Sequence, residues 1–144
     1  MKRNLLLGTV LAVGFVLGAA VVHQLGAQPA PIKVTNLLQA DVVGMEGIEV
    51  LVTLVEFAPR TTIGKHTHPG HEVAYVIEGS GVSEVEGQAP EMRKAGTVTY
   101  IPAMKIHESK NESATEPMKV LYFRIHPKGR PVIDSRLSEP SFMK

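Results

Sequence analysis

The chain has 144 residues, 44% of them hydrophobic and 20% charged, with a formal net charge of +1. This length fits a single domain, and the composition is typical of a globular protein rather than a disordered one. The near-neutral charge argues against a nucleic-acid partner, which would call for a strongly basic surface. No cysteine is present, so disulfides and thiolate chemistry are excluded, and stability must come from core packing and from any bound metal.

The first predicted element is an export segment. Lys2 and Arg3 precede an uncharged apolar run over residues 5–22, and small residues follow it. This layout is typical of a signal peptide, so residues 1–27 are predicted to direct export, and residues 28–144 to form one periplasmic or secreted domain. The run also approaches the length of a membrane span. The alternative is therefore an uncleaved anchor in the inner membrane, with the domain again outside the cytoplasm.

The chain after Pro31 is predicted to be all-β. Apolar and β-branched runs, separated by Gly and Pro, are typical of short strands; they lie at Ile48–Phe57, Val73–Ile77, Thr97–Ile101 and Val120–Ile125. No later segment keeps a helical apolar period, and turn residues occur at 79–81 and 86–88. Many short strands at fairly even spacing predict a sandwich or a jelly-roll barrel. The tail from Pro127 is expected to wrap the barrel edge or to stay mobile.

A cluster of histidines marks the candidate site. His66 and His68 are two residues apart, and alternate side chains of an extended backbone point to the same face. The Pro69–Gly70 pair predicts a turn, after which Glu72 begins a new strand and can return a carboxylate to the same point. Three candidate metal ligands therefore arise from seven residues. On its own an H-x-H pattern is weak, because neighbouring histidines are more often surface or hydrogen-bonded residues.

A second segment, from Gly96 to Asn111, strengthens this interpretation. The two segments together resemble the paired motifs of the cupin superfamily, G-x5-H-x-H-x3-E-x6-G and G-x5-P-x-G-x2-H-x3-N. The matching residues are His66, His68, Glu72 and Gly79 in the first motif, and Gly96, Pro102, His107 and Asn111 in the second. The chain departs from the motifs at two glycine positions, which Arg60 and Met104 occupy. We therefore expect both of these turns to differ in shape.

The resemblance covers residues 45–126 and implies a double-stranded β-helix with a metal at one mouth. It implies one divalent transition metal, held by His66, His68, Glu72 and His107. This mixed nitrogen and oxygen set suits Mn, Fe, Ni, Cu or Zn. The resemblance also implies a homodimer, for which residues 33–38 are a candidate pairing strand.

Several further residues have candidate roles around the metal. Strand alternation turns His71 away from the ligands, where it either orients substrate or is solvated. Tyr75 and Tyr122 either line the cavity or pack the core, and Arg124 and His126 either support a ligand or lie at the surface. No catalytic residue is assigned, and the candidate acid or base groups are Glu72, Tyr75 and His71.

Two main hypotheses follow for the function, because one barrel supports many activities. The first is a metal-dependent enzyme acting on a small oxygen-rich substrate, either an oxygenase resembling quercetinase-like dioxygenases or a related lyase. The second is a non-catalytic module that binds a small molecule or a metal. A third, purely structural role predicts that the changes His66→Ala and His107→Ala have no functional effect.

Overall fold

The computed structural model describes residues 31–134 and contains nine strands and no helix in that range. The strands are β1 Ile32–Asp41, β2 Ile48–Phe57, β3 Thr61–His66, β4 His71–Glu78, β5 Ser80–Val85, β6 Glu91–Lys94, β7 Val98–Ile101, β8 His107–Asn111 and β9 Met118–Pro127. The all-β prediction is confirmed. The predicted signal or anchor segment, residues 1–27, lies outside the described residues. Between residues 31 and 134, no helix has the length and apolarity needed to cross a membrane.

The strands pair into two antiparallel sheets. The larger sheet has the order β1-β2-β9-β4-β7, and the smaller has the order β3-β8-β5-β6. Consecutive strands therefore alternate between the sheets at several points, as when β3 is followed by β4 in the other sheet. This crossing between two facing sheets brings segments that are distant in sequence to the same interior space.

The long strands form because apolar and β-branched residues alternate with their neighbours across the sheet. In β2 every odd-numbered side chain from Glu49 to Phe57 is buried, and the even-numbered ones are half-buried. Strand β9 shows the same alternation and pairs with β2 along its whole length, from Ile48 opposite Pro127 to Phe57 opposite Met118. The two strands thus form the centre of the larger sheet.

The interior divides into an apolar half and a polar half. The apolar half contains Phe57, Val76, Met118 and Val120, each with no more than a trace of exposure. Further along the same strands the inward positions become polar, as Thr53 on β2, Glu72 on β4 and Arg124 on β9 show. Apolar packing therefore stabilises one end of the barrel, and the other end presents polar side chains to the interior.

Three turns adopt backbone conformations that L-residues disfavour. Gly79, between β4 and β5, has a φ of 78°, and a Cβ there would also clash with the backbone of Pro117. Arg60 and Met104 have φ values of 57° and 62°, the left-handed region in which glycine is favoured. These are the two positions at which the chain lacks a motif glycine. At both positions the backbone therefore has the conformation that glycine favours, although the residue present is not glycine.

The segment after β9 crosses the polar end of the barrel. Thr67 and Asp134 exchange both of their backbone hydrogen bonds, at 3.2 Å and 2.9 Å, in an isolated antiparallel bridge. We call residues 128–134 the C-terminal strap. As far as residue 134, the tail therefore wraps the barrel edge, which was one of the two expectations for it.

Candidate metal centre

Three histidines meet at the polar end of the barrel. His66 ends β3, His68 lies two residues beyond it, and His107 begins β8, directly opposite His66. All three side chains are buried. One ring nitrogen from each lies within 4.8 Å of the other two. The two motif segments, about 40 residues apart in the chain, are therefore joined by the pairing of β3 with β8.

The second ring nitrogen of each histidine is held by a backbone carbonyl. His66 Nδ1 lies 2.7 Å from Gly64 O, His68 Nδ1 lies 2.6 Å from Val132 O, and His107 Nδ1 lies 2.9 Å from Lys105 O. A carbonyl only accepts hydrogen bonds, so each Nδ1 must carry the proton. In the neutral ring the Nε2 atom is then an unprotonated acceptor. Histidines that bind metals are held in this way by a partner on the other nitrogen.

The Nε2 atoms face one another and require a cation. His66 Nε2 lies 3.2 Å from His68 Nε2, which in turn lies 3.0 Å from Glu72 Oε2. Lone pairs at these separations repel unless a proton or a metal ion lies between them. Nitrogen ligands at about 2.1 Å from one ion lie roughly 3–4 Å apart, so the spacing fits a metal. The three Nε2 atoms and the Glu72 carboxylate therefore fit the divalent transition metal that the cupin resemblance implies.

Glu72 adjoins this cluster from the opposite sheet. Its Oε1 lies 3.8 Å from His107 Nε2 and makes no hydrogen bond within residues 31–134. Its Oε2 lies 2.6 Å from Arg124 Nη2, and the carboxylate is buried. Burial opposes ionisation, but the close contact with His68 and the charge of Arg124 outweigh it and lower the pKa of Glu72 to about 2. Glu72 is thus a carboxylate at neutral pH, with one oxygen directed toward the histidines.

The surroundings of His66 and His107 keep these two rings neutral at neutral pH. Burial lowers the pKa of His66 to about 4, and the neighbouring His107 and His68 add to this shift. Burial likewise lowers the pKa of His107. Since metals bind the neutral imidazole, these shifts leave the nitrogen lone pairs available at neutral pH.

A cavity of about 280 Å³ opens beside the histidines. Its walls are largely apolar, and the side chains that carry this character are Val34, Val55, Ile63, Val132 and Ile133. Polar side chains reach into it at Thr53, Ser109, Tyr122 and Arg124. Burial and the charge of Glu72 raise the pKa of Tyr122 above its ordinary value of 10.0, so its hydroxyl is a neutral donor. The cavity can hold a small organic molecule in contact with the cluster.

The remaining predicted residues divide between the inside and the outside of the barrel. Tyr122 and Arg124 line the cavity. His126 is buried but outside it, and its Nε2 donates to Arg130 O at 3.0 Å. His71 and Tyr75 lie on the outer face of β4, because they alternate with the inward-facing Glu72. His71 Nδ1 and the Tyr100 hydroxyl form a 2.7 Å hydrogen bond. These two outer residues therefore have no contact with the cavity.

Several interior residues were not singled out from the sequence. Ser109 lines the cavity, and its place two residues after His107 on the same strand could have revealed it. Arg93 is fully buried, although nothing in its short strand indicates this. The Val132 carbonyl, which holds His68, belongs to the strap and carries no sequence signal. Asn111, a motif residue, donates to Ala58 O and Glu116 O and so stabilises loops rather than the cluster.

Comparisons with known proteins agree with this architecture. A chain from Klebsiella pneumoniae with a double-stranded β-helix domain is similar at 17% identity and a TM-score of 0.57, covering 72% of this chain and 84% of that one. The Cupin_2 domain of an XRE family transcriptional regulator from Enterobacter cloacae is 18% identical, with a TM-score of 0.57 and coverage of 69% and 100%. A DMSP lyase from Ruegeria pomeroyi is 16% identical, with a TM-score of 0.55 and coverage of 63% and 45%.

These likenesses show the fold, and the predicted double-stranded β-helix is confirmed. No curated protein sequence is significantly similar to the chain. The family model for the cupin domain, Cupin_2, matches residues 53–124, which is half of the chain and includes all three histidines and Glu72. The chain therefore belongs to the cupin family.

Proposed function

We propose that this protein binds one divalent transition metal, with His66, His68 and His107 as nitrogen ligands and Glu72 as a carboxylate ligand. The observation that carries the proposal is the convergence of three histidine Nε2 atoms. In each of these rings, Nδ1 donates a hydrogen bond to a backbone carbonyl. The free Oε1 of Glu72 beside His107 supports the fourth ligand. The metal is Mn, Fe, Ni, Cu or Zn, since this ligand set accepts each of them.

We propose further that the site acts on a small oxygen-rich organic substrate, as a metal-dependent dioxygenase or lyase. A metal bound there would act as a Lewis acid toward an oxygen of the substrate. The apolar walls would exclude water, and Arg124 would hold Glu72 as a carboxylate. The similarity in fold to a DMSP lyase is compatible with this proposal.

The second candidate is a non-catalytic binding module, and one observation favours it. Three cavity groups have lowered pKa values, Glu72 at about 2, His66 at about 4, and His107 through burial, and they are poor general bases at neutral pH. Tyr122 is a poor acid for the opposite reason. A site that binds without proton transfer would need none of these groups to titrate near neutrality.

Metal analysis joined to turnover distinguishes the candidates. The purified protein is expected to contain about one equivalent of metal by elemental analysis, His107→Ala to lose it, and His71→Ala, which alters the outer face, to keep it. The metal-loaded protein is then tested with enediols, flavonols, diketones and DMSP, with dioxygen consumption and product formation measured. Turnover that His107→Ala abolishes supports the enzyme. Metal without turnover supports the binding module, and equal metal content in both variants contradicts the site.

We also propose that the chain is exported through residues 1–27 and acts in the periplasm or outside the cell. The pattern of two basic residues before an apolar run supports this proposal. The test is fractionation of cells that express the full chain, followed by mass spectrometry of the N-terminus. A periplasmic product starting near Gln28 supports cleavage, an intact product in the membrane supports an anchor, and an intact cytoplasmic product contradicts export.

Pairing with a second copy is a further proposal, and β1 is its candidate surface. Among the strands of residues 31–134 it is an edge of the larger sheet, so one side of its backbone has no partner strand in that range. It also exposes Val34, Leu37 and Leu38, each by about half. Light scattering of the wild type should give a dimer mass, and Leu37→Lys should give a monomer. A monomeric wild type would contradict the proposal.

A further inference from the structure

A buried arginine contacts the cavity wall through Ser109 and has no carboxylate partner within residues 31–134. Arg93, on β6, has no exposed surface. Its Nη2 donates to Ser109 Oγ at 3.0 Å, but its Nε and Nη1 atoms have no hydrogen-bond partner within residues 31–134. In the same range no carboxylate forms an ion pair with it, whereas the other buried arginine, Arg124, is paired with Glu72 at 2.6 Å. A guanidinium carries a positive charge in proteins, and burying it without a partner is strongly unfavourable.

The serine hydroxyl groups around Arg93 have hydrogen-bond donors that no acceptor in residues 31–134 satisfies. Ser109 Oγ accepts from Arg93 at 3.0 Å and from the Tyr122 hydroxyl at 3.4 Å, so both of its lone pairs are engaged. Its own proton is then free to be donated elsewhere. Ser83, directly opposite Ser109 in the β5–β8 pairing, is buried and has no hydrogen-bond partner in the described part of the chain. The cluster therefore has spare hydrogen-bond donors together with one uncompensated positive charge.

This donor cluster adjoins the metal site. Ser109 and Tyr122 line the same cavity as the three histidines. Ser109 and His107 are alternate residues of β8, both buried, and a strand rises about 3.3 Å per residue, so their side chains are about 7 Å apart. Glu72 and Arg124 neutralise each other, and no carboxylate within residues 31–134 pairs with Arg93, so Arg93 adds an uncompensated positive charge to this part of the barrel.

We propose that Arg93 and Ser109 form a carboxylate-recognition site, and that the substrate of this cavity is a short-chain organic acid. The carboxylate accepts from the Ser109 hydroxyl and compensates the charge of Arg93. The apolar walls contact the carbon chain, and an oxygen at the other end of the molecule reaches the histidine cluster. This inference deepens the proposed function by naming the substrate class, and it rests on that function for the role of the histidines.

The test measures carboxylate binding without metal, so that it does not depend on the proposed chemistry. The full chain is treated with a chelator, and binding of 4-oxopentanoate is measured by calorimetry and by the shift in unfolding temperature. The neutral ketone 2-pentanone and the inorganic anions chloride and sulfate serve as comparison probes. We expect 4-oxopentanoate to bind and to raise the unfolding temperature in proportion to its concentration. The ketone should have no effect, and the inorganic anions should bind more weakly.

Variants assign the binding to Arg93. Arg93→Met, which keeps the volume and removes the unpaired charge, is expected to fold at least as stably as the wild type and to bind the carboxylate tenfold or more weakly. Lys110→Met removes a positive charge on the outer side of β8 and should leave binding unchanged. If Arg93→Met does not fold, Ser109→Ala, which keeps the charge and removes one donor, is expected to weaken binding severalfold.

Three results would overturn the inference. They are no binding by the carboxylate, equal binding by Arg93→Met, and sulfate or chloride binding as tightly as the organic acid. Each is distinguishable from failure of the metal proposal, which is decided by the metal content of the untreated protein. Full metal occupancy without carboxylate binding would contradict the proposed substrate class but not the proposed metal site.

Discussion

Glu72 and Arg124 lie directly opposite each other on β4 and β9, and Arg124 Nη2 is 2.6 Å from Glu72 Oε2. Arg124 also donates from Nη1 to Thr53 Oγ1 at 2.8 Å, so its guanidinium is fixed at two points. The carboxylate is therefore anchored by one oxygen, and the other is directed toward His107. This relationship makes Arg124 a positioning residue for the proposed fourth ligand.

Replacing Arg124 should weaken metal binding although it is not a ligand. We expect Arg124→Met to lower metal affinity about 10- to 100-fold, because Glu72 loses both its anchor and its compensating charge. The measurement is a competition titration with a chromogenic chelator. Arg130→Met, which removes an exposed guanidinium outside the metal cavity, should leave affinity unchanged. Equal affinities in the two variants would show that Glu72 needs no anchor.

The metal-free protein should lose stability as the pH falls from about 6.5 to about 4. The folded pKa of His66 is about 4 and its ordinary value is 6.5. Between these values the unfolded chain binds more protons than the folded one, so acidification favours unfolding. We expect this residue to contribute a loss on the order of 2 kcal/mol across that window, and nothing further below it.

Urea unfolding of the metal-free protein between pH 7 and pH 4 measures this effect. His66→Gln should be less sensitive to pH in that window, whereas His71→Gln, which alters an exposed ring on the outer face, should follow the wild type. If His66→Gln retains the full decline in the free energy of unfolding, the pH dependence comes from other groups.

The strands that could be predicted from the sequence are those whose residues carry enough local information. β2 and β9 are ten residues long and alternate regularly, and parts of β4 and β7 are apolar on both faces. The short strands β5, β6 and β8 were not predicted, because their inward positions hold polar residues such as Ser83, Arg93 and Ser109. Burial of these residues depends on the opposite sheet, which no local pattern reveals.

The same distinction applies to the site. His66 and His68 are grouped by strand alternation alone, and the second motif adds His107. The Arg93–Ser109 hydrogen bond joins residues 16 apart, and the His68–Val132 hydrogen bond joins residues 64 apart. Both depend on how the chain crosses between sheets and returns over the barrel end. Neither hydrogen bond corresponds to a residue spacing that a sequence motif could describe.

Replacing Arg60 or Met104, the two described non-glycine residues with positive φ, by glycine should stabilise the fold. Met104→Gly and Arg60→Gly are each expected to raise the free energy of unfolding by about 1 kcal/mol, because the left-handed conformation costs an L-residue roughly that amount. Denaturant unfolding with metal bound is the measurement. Ala103→Gly, beside Met104 but without a positive φ, should instead lower stability slightly. A loss of stability in Met104→Gly would mean that the methionine side chain makes a stabilising contact that outweighs the backbone strain.

The C-terminal strap should contribute to metal affinity through a single carbonyl. Val132 O accepts from His68 Nδ1 at 2.6 Å, and the bridge between Thr67 and Asp134 fixes the strap beside it. Without the strap, His68 loses the partner that sets its tautomer and ring orientation, so its Nε2 is no longer held toward the cluster. Val132 and Ile133 would also leave the cavity wall and admit water.

We therefore expect a chain ending at Gly129 to bind metal about tenfold or more weakly than the wild type, while its unfolding in the metal-free state changes less. A chain ending at residue 136 keeps the Thr67–Asp134 bridge and is the matched control, with affinity expected to equal that of the wild type. Chelator competition gives the affinities, and the metal-free unfolding curves separate a local effect on His68 from a general loss of stability. Because the strap reaches His68 from outside both sheets, equal affinity in the two truncated chains would show that the barrel alone orients the ligand.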